Sequence, residues 1–140
     1  MQKIIHSLHL KAKSEKVFEA IATAKGLSNW WSRDVKAEER VGGIVDFRFI
    51  ADFNPDMKIT ALDKPNEVRW QCVAGHDKWQ DNRFLFQLSE RDAGTQLLFV
   101  QEYAQKISDE DYGTYNFNWG YYLQSLKDYC ETGKGKPFSA

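Results

Sequence analysis

Few side chains in this sequence can do chemistry: three His, two Cys and a dense set of aromatic rings. His6, His9 and His76 are too dispersed to read as a metal site. The two-residue period of a strand also sends His6 and His9 to opposite faces, so they cannot share a ligand. His76-Asp77 is the pairing an acid–base step would use, yet it lies in a stretch, Ala74–Gln80, that reads as a solvated loop. Cys72 and Cys130 have no metal-like spacing and read as two buried, reduced thiols. Gly-x-Ser-x-Gly, His-Glu-x-x-His, a phosphate-cradling loop and Cys-x-x-Cys are all missing from the sequence. No catalytic constellation stands out, and no metal or cofactor is expected. The rings remain: 14% of the chain is aromatic, with five Trp and nine Phe. Their chemistry is stacking and the burial of apolar surface.

Rings act only where elements hold them together. Ser108 to Gly133 reads as one long helix, because Tyr112, Tyr115, Trp119, Tyr122, Leu123, Leu126, Tyr129 and Cys130 recur at spacings of three and four. Ser108 has the chemistry of an N-cap, Asp109, Glu110 and Asp111 suit the positive end of the helix dipole, and Gly133 suits the residue past the end. A first strand spans 2–11 with Ile4, His6, Leu8 and Leu10 inward; a lone inward His is more often a hydrogen-bonded core residue than a catalyst. Ser14 is placed as N-cap of a short helix carrying Val17, Phe18 and Ile21, and a second turn of helix carries Leu27 into Trp30-Trp31. Adjacent Trp residues cannot share a face, so one enters the interior while the other sits at its mouth, either to plug it or to meet a ligand.

From Arg33 onward the period is two. Val35 and Ala37 precede a Gly42-Gly43 turn, and Val45, Phe47 and Phe49 follow it on one face. Asp52–Asp56 and Asp63–Asn66 are turn chemistry. Val68, Trp70 and Cys72 face inward on one strand, Phe84, Phe86 and Leu88 on the next, and Leu97, Phe99 and Gln101 on the last. Glu102 and Tyr103 approach the mouth. A strongly bent antiparallel sheet with so aromatic an inner face needs a cover, which the long helix supplies. Sheet and helix meet at the edges more readily than at the centre, so a cavity is expected between them, lined by Phe47, Phe49, Trp70, Phe84, Phe86, Phe99, Tyr115, Trp119 and Tyr122.

At 140 residues and a net charge of −1, the chain reads as one domain with no basic block for nucleic acid and no run long enough to span a membrane. With no signal peptide at its start, a cytoplasmic location is expected.

Several stretches together resemble a known family: Leu27-x-x-Trp30-Trp31, Gly42-Gly43 opening a strand, the Thr60–Trp70 hairpin with Asp63-x-Pro65, Gly94-Thr95-Gln96-Leu97, and Trp119-x-x-x-Leu123-x-x-Leu126-Lys127 ending in Glu131-x-Gly133-Lys134-Gly135. Their order and spacing are similar to the START and birch-pollen-allergen (SRPBCC) superfamily, and within it to the family named for the activator of the heat-shock chaperone ATPase. The resemblance implies an α+β helix-grip fold: a curved antiparallel sheet of about six or seven strands wrapped around a long C-terminal helix, the first strand followed by two short helices. Residues 1–133 would form that domain and 134–140 a short, frayed polar tail.

Three functions are open. The first is a module binding a small hydrophobic ligand through His6, Trp30, Trp31, Phe47, Phe49, Trp70, Phe84, Phe86, Phe99, Gln101, Tyr115, Trp119, Tyr122 and Leu123, with His6, Gln101 and the Tyr hydroxyls orienting it. The superfamily's use for lipids, hormones and polyketides supports this. The second is a protein-interaction or chaperone-regulating module, although a stand-alone chain of 140 residues is expected to lack the additional domain of the family's founding members. Phe117 and Tyr121 lie one turn apart on the helix face away from the pocket and suggest a contact surface, in its mildest form a homodimer; a covering loop or half-exposure are the alternatives. The third is a cyclase or isomerase acting on an aromatic, polyketide-like substrate.

Overall fold

A computed structural model describes residues 1–50 and 53–139. The chain runs β1 (Lys3–Leu10), α1 (Ser14–Ala22), α2 (Ala24–Trp30), β2 (Asp34–Ala37), β3 (Ile44–Arg48), β4 (Asp56–Asp63), β5 (Glu67–Ala74), a single 3-10 turn (Asp77–Trp79), β6 (Arg83–Arg91), β7 (Gly94–Glu102) and α3 (Asp109–Thr132). The strands form one curved, seven-stranded antiparallel sheet in the order β1-β7-β6-β5-β4-β3-β2, and α3 lies across its inner face. This is the helix-grip arrangement expected.

Register turns the alternating pattern into rows of side chains on that face. Leu62 pairs with Val68, Val68 with Phe86, Phe86 with Phe99 and Phe99 with His6, one row across five strands. A parallel row runs Ile59, Trp70, Phe84, Gln101 and Ile4. Because neighbouring strands sit about 4.8 Å apart, rings touch within a row and between rows: Phe86 and Phe99 centroids in one row are 5.1 Å apart, and Trp70 of the other row lies 4.9 Å from Phe86.

α3 is 24 residues long, about 36 Å at the usual rise, and starts and stops where its end residues direct. Ser108 Oγ accepts the Asp111 amide at 3.1 Å, and Gly133 adopts φ 85°, the left-handed geometry that ends a helix. Tyr115, Trp119, Leu123, Leu126 and Cys130 are buried on its inner stripe, whereas Phe117 (76% exposed) and Tyr121 (50%) stand on the outer face uncovered. Near its C-terminus Glu131 accepts both the Lys127 ammonium (2.6 Å) and the Lys11 amide (2.8 Å), which pins the helix to the end of β1.

Four expectations need correction. Lys13, not Ser14, is the N-cap of α1; the Ser14 hydroxyl is instead buried against Thr95 Oγ1 at 3.0 Å, tying α1 to β7. Trp30 and Trp31 are both buried, stacked with centroids 6.1 Å apart, since α2 ends between them and sends both rings inward. The His76–Trp79 stretch is no solvated loop: both of those side chains are buried. The C-terminal segment does not fray. Phe138 exchanges backbone hydrogen bonds with Trp31 O (2.8 Å) and Arg33 N (3.0 Å), and Lys136 N donates to Ser125 Oγ at 2.7 Å. That docking requires Gly135, where a Cβ would collide with the Asn29 carbonyl oxygen. Of the turn expected at Asp52–Asp56, Asp52 lies outside the described residues, and Phe53 N donates to Ile50 O at 2.7 Å.

Candidate functional site

Trp31 is the hub of the interior. Its indole lies 4.4 Å from Phe47, 4.9 Å from Trp119, 5.2 Å from Phe49, 6.1 Å from Trp70 and 6.4 Å from Trp79, centroid to centroid. All five Trp therefore join one connected stack through a residue at the C-cap of α2. Rings in contact leave no lumen along the middle of the sheet. Phe47, Trp70, Phe84, Phe86 and Phe99, expected to line a cavity, are 1% exposed or less and fill it.

Among the described residues a ring-lined cleft of about 320 Å³ opens to solvent at one end. Trp31, Trp79 and Trp119 lie at its base, and the α3 wall adds Thr114, Tyr115, Asn118 and Tyr122. Phe49, Ile50, Phe53 and Pro55 form the opposite wall, His76 one flank and Phe138 of the C-terminal segment the other. Of the residues expected to contact a ligand, Trp31, Phe49, Tyr115, Trp119 and Tyr122 are brought together here. Trp30 and Leu123 pack in the core behind it, Trp30 with its indole N–H donating to Ala20 O at 2.7 Å. His6 is half-buried with Nε2 3.0 Å from Asn116 Oδ1, on β1 and off the cleft. Gln101 faces inward as expected, but its Oε1 accepts the Trp119 indole N–H at 2.7 Å and so fixes that ring from behind. Glu102 points to the outer face, toward Lys3 at 3.7 Å, and Tyr103 is buried beneath Tyr115.

His76, Trp79, Phe53 and Phe138 are cleft residues that the sequence reading left out. A signal existed for three of them: His76 and Trp79 are three apart, the spacing that a single 3-10 turn brings to one side. A lone Phe in a polar tail was the other. Phe53 packs edge-on to His76 at 4.9 Å, and Phe138 lies 5.5 Å from Phe49.

The electrostatics follow from apolar walls. Burial pushes the His76 imidazole down from 6.5 to about 4, against the pull of the adjacent Asp77 carboxylate, so the ring is neutral at pH 7. Burial raises the Tyr115 and Tyr122 hydroxyls above their ordinary range. Beneath the cleft, the Trp79 indole nitrogen leans toward the Tyr103 hydroxyl, though neither atom reaches hydrogen-bond geometry; burial keeps that phenol protonated. Cys72 and Cys130 are raised to about 11 and about 12 by burial, far from a nucleophilic thiolate. Among the described residues no cluster of His, Cys, Asp and Glu could hold a metal ion, and no helix is long and apolar enough to cross a membrane.

A curved sheet gripping a C-terminal helix, with a ring-walled cleft where they part, defines the helix-grip class of proteins. The family described as "Activator of Hsp90 ATPase homolog 1-like protein" matches residues 11–131, and the chain belongs to it. Among solved structures, the Aha1 dimer from Colwellia psychrerythraea is 33% identical with a TM-score of 0.87, covering 96% of this chain and 100% of that one. Protein SSP2350 from Staphylococcus saprophyticus shares the fold at 18% identity and a TM-score of 0.79, covering 99% and 98%. CalU16 from Micromonospora echinospora does so at 18% and 0.75, covering 96% of this chain and 69% of that one. No curated protein sequence matches the chain.

Proposed function

We propose that the protein binds a small apolar molecule with a ring system in the cleft between α3, the β3–β4 turn and the His76–Trp79 turn. The observation that carries this reading is a cleft of about 320 Å³ walled almost wholly by rings and open to solvent, in front of an interior that is otherwise filled. Apolar concavities with a few polar groups at set positions are where small ligands bind. Flat faces favour a flat guest, because offset and edge-on ring contacts add to the burial of area. 2-Methylnaphthalene is a suitable probe. It should raise the midpoint of thermal unfolding, since a ligand held by the folded state alone stabilises it by about 2.7 kcal/mol at a hundred times its Kd. Thr114→Trp, on the exposed rim, should fill the cleft and abolish the rise without lowering the midpoint of the free protein. An equal rise in that variant would refute the proposal.

A second reading concerns the opposite face of α3. Phe117 and Tyr121 are exposed one helical turn apart, and the Colwellia relative was solved as a dimer, which together support a second copy of this chain as the occupant of that face. Sedimentation of Phe117→Lys/Tyr121→Lys tests it: a dimer that falls to monomer supports the reading, and an unchanged dimer refutes it. The family description points to a third partner, a chaperone of the Hsp90 class. Stimulation of such a chaperone's ATPase by the wild type but not by the double variant would give this face to the chaperone instead.

A further inference from the structure

Of the His, Thr, Asn and Tyr side chains that line the cleft, His76 is the most buried, and no part of the proposed function uses it. It is 5% exposed, stacked on Trp79 at 4.4 Å and 3° from parallel, edge-on to Phe53 at 4.9 Å and to Tyr115 at 5.6 Å. Three rings thus fix its plane, yet it belongs to the cleft wall. Among the described residues no side chain hydrogen-bonds the ring, and the backbone group that bears on it is its own carbonyl. An imidazole that keeps its proton toward its own carbonyl presents the other nitrogen as an acceptor. Leaving an acceptor unmet in an apolar site is costly, and so such groups are usually partnered.

Resting on the reading of the cleft as a ligand site, we propose that His76 is its polar anchor and that the ligand is a ring compound carrying a neutral hydroxyl, a phenol or enol, which donates to the imidazole. A hydroxyl answers the acceptor nitrogen of the imidazole, whereas an ether or ketone brings only a second acceptor to it. A carboxylate is disfavoured for a separate reason: it would be desolvated among rings with no cation in the wall to meet it, because Lys78 is engaged outside with Asp111 at 2.7 Å. Burial keeps the imidazole neutral at pH 7, so the site has no charge of its own to offer an anion.

The test compares three probes that differ in one substituent: 2-naphthol, 2-methylnaphthalene and 2-naphthoate, titrated calorimetrically at pH 7 into wild type and His76→Phe. Phe retains the stack on Trp79 and removes the nitrogens. The expected result is a loss of about fivefold or more in 2-naphthol affinity, with 2-methylnaphthalene changed by less than about twofold and 2-naphthoate weakest in the wild type. Equal effects on naphthol and methylnaphthalene, or none, would overturn the anchor while leaving the cleft a ligand site. Failure of all three to bind wild type would remove the cleft reading itself. Should His76→Phe not fold, the imidazole 15N resonances of wild-type His76 decide: naphthol must shift one nitrogen in the direction of a newly accepted hydrogen bond and methylnaphthalene must not reproduce that shift, and identical responses overturn the proposal.

Discussion

His76 and Trp79 lie face to face, ring centroids 4.4 Å apart and 3° from parallel. A 3-10 turn has three residues per turn, so side chains three apart eclipse, and the Trp79 amide donating to His76 O at 3.0 Å closes that turn. The stack shields the imidazole from water and thereby lowers its affinity for a proton. The groups that act on its charge are Asp77, which favours protonation, and Lys78, which opposes it more weakly.

Stability should therefore depend on pH through this residue. The unfolded chain protonates His76 near 6.5 and the folded one only near about 4, so between those values the unfolded state binds more protons. The contribution of the neutral ring is complete above pH 6.5 and is lost as pH falls toward 4. Thermal midpoints measured from pH 7.5 to 4.5 should fall less steeply for His76→Phe than for wild type. Identical slopes would show that the imidazole is not held neutral by burial.

Trp31 touches the other four Trp and two Phe, so removing it leaves a hole at the centre of the stack. Trp31→Ala should cost about 3–5 kcal/mol in urea unfolding, the range for large aromatic-to-Ala changes in cores. A loss below about 1 kcal/mol would contradict its place as hub.

The two thiols should be silent in the native state. With Cys72 at about 11 and Cys130 at about 12, a thiol reagent at pH 8 should label neither until denaturant is added, and then both. Rapid native labelling of either would place that side chain at the surface.

The C-terminal segment should behave as part of the fold. Amides of Arg33, Lys136 and Phe138 should be protected from hydrogen exchange in wild type and exchange freely in Gly135→Val, whose new side chain would collide with the Asn29 carbonyl. Unchanged protection would mean that the segment docks without needing Gly135.

What could be read in the sequence was local. The stripe from Tyr115 to Cys130 and the alternation in Val68, Trp70 and Cys72 each repeat within one element, and burial follows directly from such periods. Whether rings on facing elements touch depends on the gap between sheet and helix, which no single element encodes. The periods of Phe47 and Phe99 accordingly identify the correct face but not that the two rings fill the interior instead of walling a cavity. The cleft is a meeting of residues far apart in the chain, Phe138 with Phe49 and His76 with Phe53, and no period announces such a meeting. Ser14 shows the same limit on a smaller scale. Its hydroxyl suits a helix cap, but Thr95, 81 positions away, claims it.

The most direct test of the ring-walled cleft is a titration of 15N-labelled protein with 2-methylnaphthalene, following the five indole N–H cross-peaks. The cleft predicts saturable shifts led by Trp31, Trp79 and Trp119, with Trp30 and Trp70 moving less because they lie behind the base. Peaks that stay in place at saturating probe, or shifts led by Trp30 and Trp70, would contradict it.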